Sequence, residues 1–138
     1  IACYFPIGSE VDTHDIMLNI LEQGKNLLLP KIVNDNIEFY IVPNLETLEK
    51  GSFEIMEPKD NSQKAKKIDC ILVPTVGISK LGYRLGYGRG YYDKFLSLTD
   101  TVKISLTYSK QIVKSIPSDL HDIKMDWIIT EDESVKIL

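Results

Sequence analysis

Ile68-Asp69-Cys70-Ile71-Leu72-Val73-Pro74 is followed by a glycine-bearing loop that ends in Arg84-Leu85-Gly86-Tyr87-Gly88-Arg89-Gly90-Tyr91-Tyr92-Asp93. The apolar run reads as a buried strand stopped by Pro74, and a helix is expected from Tyr91 to about Leu98. Glycines at alternate positions let the backbone take positive φ and approach a ligand closely. Successive amides in such a loop form an anion-binding concavity, and a helix opening behind it adds free N–H groups. Arg84 and Arg89 supply planar, multiply donating charge suited to phosphate oxygens. Open α/β sheets place ligands just beyond a strand end, where this loop lies. The stretch reads as a phosphate cradle, although it fits neither a Walker A loop nor a GxGxxG fingerprint. A bare GxGxG is more often a flexible turn. The two arginines, Tyr91, Tyr92 and Asp93 argue for the cradle.

Working outward, Ile1-Ala2-Cys3-Tyr4-Phe5-Pro6 suits a buried strand. Asp12 and Thr13 suit the start of a helix running to about Gln23, with Gly24 as its left-handed stop. Ile16, Met17, Ile20 and Leu21 share one face of that helix. Leu27-Leu28-Leu29-Pro30 and residues 37–42 read as strands, and Asn44 to Lys50 as two helical turns closed by Gly51. Residues 57–67 read as an exposed polar loop whose lysines Lys64, Lys66 and Lys67 are simply solvated. Beyond the helix, Val102 to Thr107 alternates as a strand, Lys110 to Ile116 is assigned to a helix, and Trp127 to Thr130 to a final strand. Buried strands separated by amphipathic helices predict an α/β fold. The expectation is a single domain over residues 1–138, three-layered, with a mostly parallel sheet and helices on both faces.

The 138 residues carry 16 Lys+Arg against 20 Asp+Glu, a net charge of −4 that argues against a broad grip on nucleic acid. With 43% hydrophobic residues and a mean hydropathy of −0.07, the chain has ordinary globular proportions. It also lacks a run of about 18 apolar residues, so no membrane association is expected. Cys3 and Cys70 form no CxxC pair and read as thiols of a reducing, cytoplasmic compartment. Ile1 opens an apolar segment with no charged n-region, which does not look like a signal peptide.

The segment Val73-Pro74-Thr75-Val76-Gly77 through Arg84 to Asp93 resembles the 5-formyltetrahydrofolate cyclo-ligase (5,10-methenyltetrahydrofolate synthetase) family. Tyr4-Phe5-Pro6 with Gly8-Ser9-Glu10-Val11-Asp12-Thr13 is similar to that family's first strand and acidic turn. Leu29-Pro30-Lys31 is similar to its second strand end, and Gly51-Ser52-Phe53-Glu54-Ile55-Met56-Glu57-Pro58 to its aromatic-bearing loop. Ile116-Pro117, His121-Asp122 and Met125-Asp126-Trp127-Ile128-Ile129-Thr130-Glu131 are similar to its C-terminal signature. The glycine–arginine–tyrosine block is highly specific; the other segments persuade by their order. Two departures stand out. Pro74-Thr75-Val76-Gly77-Ile78-Ser79 replaces the family's Pro-Gly-x-x-Phe-Asp, and the family's N-terminal helical segment, with its phosphate-holding cations, is not seen before Ile1.

The resemblance implies ATP-driven cyclisation of 5-formyltetrahydrofolate to 5,10-methenyltetrahydrofolate, with Mg²⁺ assisting and ADP and phosphate released. It implies ATP contacts from Arg84, Leu85, Gly86, Tyr87, Gly88, Arg89, Gly90, Tyr91 and Tyr92. Catalysis would fall to Arg84, Arg89 and Tyr91. Folate contacts are implied for Glu10, whose carboxylate would accept from the pterin edge, and for Phe53, whose ring would stack on it. Tyr87, Gly88, Arg89, Gly90 and Tyr91 would join them on the folate side. Asp93 and Asp126 are expected to converge on one Mg²⁺; helix capping for Asp93 and a turn acid for Asp126 are the plainer alternatives. His14 and His121 are titratable neighbours with plainer uses, in the first helix turn and in orienting Asp122. Small-molecule substrates, no nucleic acid and a monomer complete the expectation. A non-catalytic nucleotide- or folate-binding module is the alternative.

Overall fold

The computed structural model describes residues 1–86, 88–117 and 122–137. After the opening segment comes α1 (His14–Glu22). A hairpin follows, of β1 (Leu28–Val33) and β2 (Asn36–Ile41), then the short pair β3 (Glu49–Lys50) and β4 (Met56–Glu57). Next are β5 (Cys70–Val73), β6 (Gly77–Ser79), β7 (Arg84–Leu85) and α2 (Tyr91–Ser97). The chain closes with β8 (Val102–Leu106), β9 (Ile112–Val113), β10 (Trp127–Ile129) and β11 (Ser134–Lys136).

The fold is mixed α/β. Strands β5, β8 and β10 run parallel at the centre, and β11 adds antiparallel to β10. Ala2 bridges Leu28 and Ile71 in parallel, so the opening segment joins the β1–β2 hairpin to β5. Backbone bonds from the Ala2 amide to Cys70 O and from the Leu72 amide to Ala2 O, each 2.9 Å, hold that junction. The expectation of a mostly parallel sheet is corrected here: the centre is parallel and the β1–β2 and β10–β11 ladders are antiparallel. The cause in the hairpin is local. Asn34 and Asp35 take φ of 50° and 62°, a left-handed pair whose twist lets two strands fold back directly. In β11 all three residues are exposed, so no apolar pattern announces it.

Alternation along each strand divides the core. Ile71 and Val73 of β5, Leu28 of β1 and Ile128 of β10 pack with Leu96 of α2. Leu72, Leu27, Leu29 and Leu106 pack with Met17 and Ile20 of α1. Period-2 placement on the strands and the shared face of α1 therefore feed two separate apolar clusters.

Two expected helices are not formed. Asn44 to Lys50 contains only a 3₁₀ turn, Leu45–Thr47, begun where Asn44 Oδ1 accepts from the Glu46 amide at 2.9 Å; Glu49 and Lys50 pair with β4 instead. Lys110 to Ile116 forms no α-helix either, only the end of a 3₁₀ turn, Ser109–Gln111. Gln111 Oε1 accepts from the Tyr108 amide at 2.8 Å, closing a tight turn, and Ile112 pairs with Ile78 of β6. β-branched Ile112 and Val113 suit that extended pairing better than a helix.

α1 ends as expected. The Lys25 amide donates to Ile20 O (3.2 Å) and the Gly24 amide to Leu21 O (3.1 Å), with Gly24 at φ 72°. This is a Schellman closure, which needs the left-handed residue. Nothing lies within 4 Å of where a Cβ would sit at Gly24, so the cost of Gly24→Ala is conformational only. It is expected to destabilise by about 1 kcal/mol in chemical denaturation. Among the described residues, no helix is long and apolar enough to cross a membrane.

Candidate active site

One cavity of about 610 Å³ gathers the chemistry-bearing segments. Its walls come from the opening segment and its turn (Tyr4, Glu10), β1 (Lys31), the β3–β4 hairpin tip (Phe53), the glycine loop and α2. Glu10, Phe53, Arg84, Leu85, Gly86, Gly88, Arg89, Gly90, Tyr91, Tyr92 and Asp93 all line it. Residues distant in sequence thus meet because β5, β1 and the opening segment are neighbours in one sheet. Tyr87 and His121 lie outside the described residues.

Arg84 sits deepest. Only 6% of its side chain is exposed, its Nη1 donates to Pro74 O at 3.2 Å, and its Nη2 lies 4.0 Å from Asp93 Oδ1. The guanidinium rests 5.5 Å from the centre of the Tyr92 ring. Among the described residues, its Nε is buried without a partner. Burial pulls the guanidinium below its ordinary value, opposed by nearby Asp93, Tyr92, Asp122 and Glu10. An arginine keeps its charge under such a pull, so the site holds a desolvated cation whose Nε donor is unspent. Gly86 makes room for it: a Cβ there would stand 2.7 Å from Arg84 Nη1. Gly90 instead serves conformation, with φ 71° and open space where a Cβ would be.

Glu10 lies in the turn after the opening segment, where the Ile7 amide donates to its Oε1 at 2.8 Å. Burial raises its carboxyl above the ordinary value, and the Ile7 hydrogen bond and Arg84 oppose the rise. Phe53 is 55% exposed, and Arg89 stacks over its ring with Cζ 4.4 Å from the centroid. Phe53 and Glu54 both take φ 59°, a costly conformation for residues with a side chain. Tyr91 donates its hydroxyl to Asp35 Oδ1 at 3.0 Å, tying α2 to the β1–β2 turn. Burial pushes the Tyr92 hydroxyl well above its ordinary value.

Asp93 and Asp126, expected to converge, stand in different settings. Asp126 precedes β10 at the sheet edge where β8 begins. Its Oδ2 accepts from the Lys103 amide at 2.8 Å and lies 3.4 Å from Lys103 Nζ. It does not line the cavity, whereas Asp93 does. Asp93 Oδ1 instead accepts from the Ile123 amide at 3.5 Å, and the Met125 amide, just before Asp126, donates to Gly82 O at 2.9 Å. No group of three or more His, Cys, Asp or Glu able to hold a metal occurs among the described residues. His14 is likewise elsewhere, with Nδ1 2.6 Å from Asp12 Oδ1 and its ring edge-on to Phe5.

Several cavity residues carried no role in the sequence reading. Tyr4 donates its hydroxyl to Val11 O at 2.8 Å. Lys31 donates to Pro58 O at 3.1 Å, pairs with Asp60 and lies 3.7 Å from Glu57. Asp122 faces the same space. Only Lys31 left a signal, as a cation inside an otherwise apolar strand.

A model of the 5-formyltetrahydrofolate cyclo-ligase family matches residues 1–131. The 5-formyltetrahydrofolate cyclo-ligase of Mus musculus is 30% identical over 148 residues, covering 96% of this chain and 73% of the mouse protein. That of Mycoplasma pneumoniae is 33% identical over 135 residues, covering 96% and 73%. The solution structure of Aquifex aeolicus 5,10-methenyltetrahydrofolate synthetase superposes with a TM-score of 0.87 at 36% identity. The superposition covers 99% of this chain and 70% of that one.

Proposed function

From the membership of this chain in the 5-formyltetrahydrofolate cyclo-ligase family, we propose that it cyclises 5-formyltetrahydrofolate to 5,10-methenyltetrahydrofolate at the expense of ATP. The observation that carries the reading is one cavity holding two kinds of recognition. A glycine loop with Arg84 and Arg89 faces it for a polyphosphate, and Glu10 with Phe53 faces it for a flat, hydrogen-bonding heterocycle.

The chemistry needs both halves at once. A formamide oxygen leaves poorly, so the terminal phosphoryl group is first transferred to it and ADP departs. The neighbouring folate nitrogen then attacks the formyl carbon and loses its proton, and the oxygen leaves as phosphate. Phosphoryl transfer is served by alignment and charge neutralisation more than by covalent help. Arg84, preorganised in a water-poor wall, suits charge that develops on the moving group. Arg89 and the amides around Gly88 and Gly90 hold the remaining phosphate oxygens. Tyr91, anchored to Asp35, lines the same space, and we assign it with the two arginines to the catalytic step. Glu10 accepts from the pterin edge and Phe53 stacks on its face.

Asp93 and Asp122 present carboxylates to the cavity beside Arg84. That donor set fits Mg²⁺, which takes one or two carboxylates together with substrate phosphates and water. Asp93 is the residue we assign to hold it, and the ion would supply further neutralisation of phosphate charge. Asp126, spent on Lys103, is not part of this reading.

We propose further that residues 1–138 form one three-layered domain, with α1 and α2 on opposite sheet faces. The grouping of Leu72 with α1 and of Ile71 and Val73 with α2 supports this. The net charge of −4 supports small-molecule partners rather than nucleic acid. Free Cys3 and Cys70 support a cytoplasmic location, and a site built from one chain supports a monomer. The non-catalytic module is not favoured, because the match to named enzymes extends across 96% of the chain.

An absorbance assay of methenyl product tests the reading. Product is expected only when 5-formyltetrahydrofolate, ATP and Mg²⁺ are all present. Formation at the same rate without nucleotide would refute it.

A further inference from the structure

The β3–β4 hairpin reaches the cavity mouth through a strained tip held from beneath. Glu57 and Lys31 are nearly enclosed, with 13% and 12% of their side chains exposed and their charges 3.7 Å apart. Gly51 is pressed against the Glu57 carboxyl so closely that a Cβ would fall 1.7 Å from Glu57 Cδ. The Gly51 amide donates to Ile55 O at 2.9 Å, closing the tip. Phe53 and Glu54 then take their left-handed conformations, and the Phe53 ring stands half out of the protein under the Arg89 guanidinium.

The contact therefore joins the two halves of the site. Resting on the function proposed above, each partner is needed elsewhere when substrates arrive: Arg89 by phosphate oxygens, the face of Phe53 by a pterin. We infer that the Arg89–Phe53 stack couples the two substrates positively, because either ligand must break the same contact and the second then binds without that cost. A contact that opposes both ligands and is broken once gives reciprocal enhancement by linkage. A cation–π pair at an exposed site is worth roughly 2- to 5-fold in an equilibrium constant, so the coupling is expected to be of that size.

Calorimetric titrations of the Mg²⁺ complex of β,γ-imido-ATP and of 5-formyltetrahydrofolate, singly and together, test this. In the unmodified protein each ligand should tighten the other by roughly 2- to 5-fold. Phe53→Leu keeps apolar bulk but removes the π face, so it should abolish the coupling. With Arg89 released, the nucleotide alone should bind that variant about 2- to 5-fold more tightly than the unmodified protein. Phe53→Trp should keep the coupling. Independent binding in the unmodified protein, or undiminished coupling in Phe53→Leu, overturns the inference while leaving the functional reading intact. Failure of either ligand to bind the unmodified protein overturns both.

Discussion

Arg84→Met is expected to lower kcat/KM for the ATP-dependent cyclisation by roughly 100- to 1000-fold, the usual loss when one preorganised donor to a developing charge is removed. A cation in a glycine loop is ordinarily exposed, and its loss then scarcely affects folding. The structure corrects the premise, because only 6% of the side chain is exposed. The conclusion survives for Met, for a different reason. A buried cation with an unpartnered Nε is held at a desolvation cost, and an apolar chain of similar length removes that cost while filling the space. Asp93, at 29% exposure and 4.0 Å away, keeps solvent as a substitute partner. The melting temperature should therefore move little. Arg84→Ala would add a void and lower it more. Steady-state rates combined with thermal melts decide between the roles: a large fall in melting temperature with full activity per folded molecule would make Arg84 purely structural.

Glu10→Gln is expected to weaken 5-formyltetrahydrofolate binding by roughly 10- to 150-fold, the loss of a charge-assisted hydrogen bond, while nucleotide affinity stays within about 2-fold. Gln keeps an oxygen for the Ile7 amide, so the turn is preserved. The same substitution should stabilise the protein, with a definite pH dependence. Burial raises the Glu10 carboxyl in the folded state, so folding disfavours its charged form. Below about pH 4 the group is neutral both folded and unfolded and carries no penalty. Stability is lost as pH rises through the raised folded value. Gln cannot ionise, so its melting temperature should exceed that of the unmodified protein at neutral pH, and the gap should close in acid. Equal loss of nucleotide and folate affinity by calorimetry would remove Glu10 from the pterin edge. A gap that widens in acid would contradict the burial argument.

Local physics made part of this protein readable from residue order. The glycines and arginines of residues 84–90 occupy a single loop, so their shared purpose needs no knowledge of distant chain. Gly24 ends α1 for a reason contained within the six residues Ile20 to Lys25, and Ile68 to Val73 has too little polar character for an edge. The elements that escaped were those without a local signature. β11 is exposed throughout, and Ile112–Val113 becomes a strand only because Ile78 is there to pair with it.

The site divides along the same line. Sequence determined which residue types were available for phosphate and pterin. Tertiary structure decided which of them meet. Asp93 and Asp126 are equally plausible as acids, but Asp93 lines the cavity whereas Asp126 is spent on the Lys103 amide and ammonium. Lys31 looks like an ordinary strand cation until Pro58, Asp60 and Glu57 close around it. The approach of Glu10 to Arg84 and the stacking of Arg89 on Phe53 arise between segments far apart in the chain. Desolvation and contact geometry are properties of those encounters, and no spacing of residues along the chain encodes them.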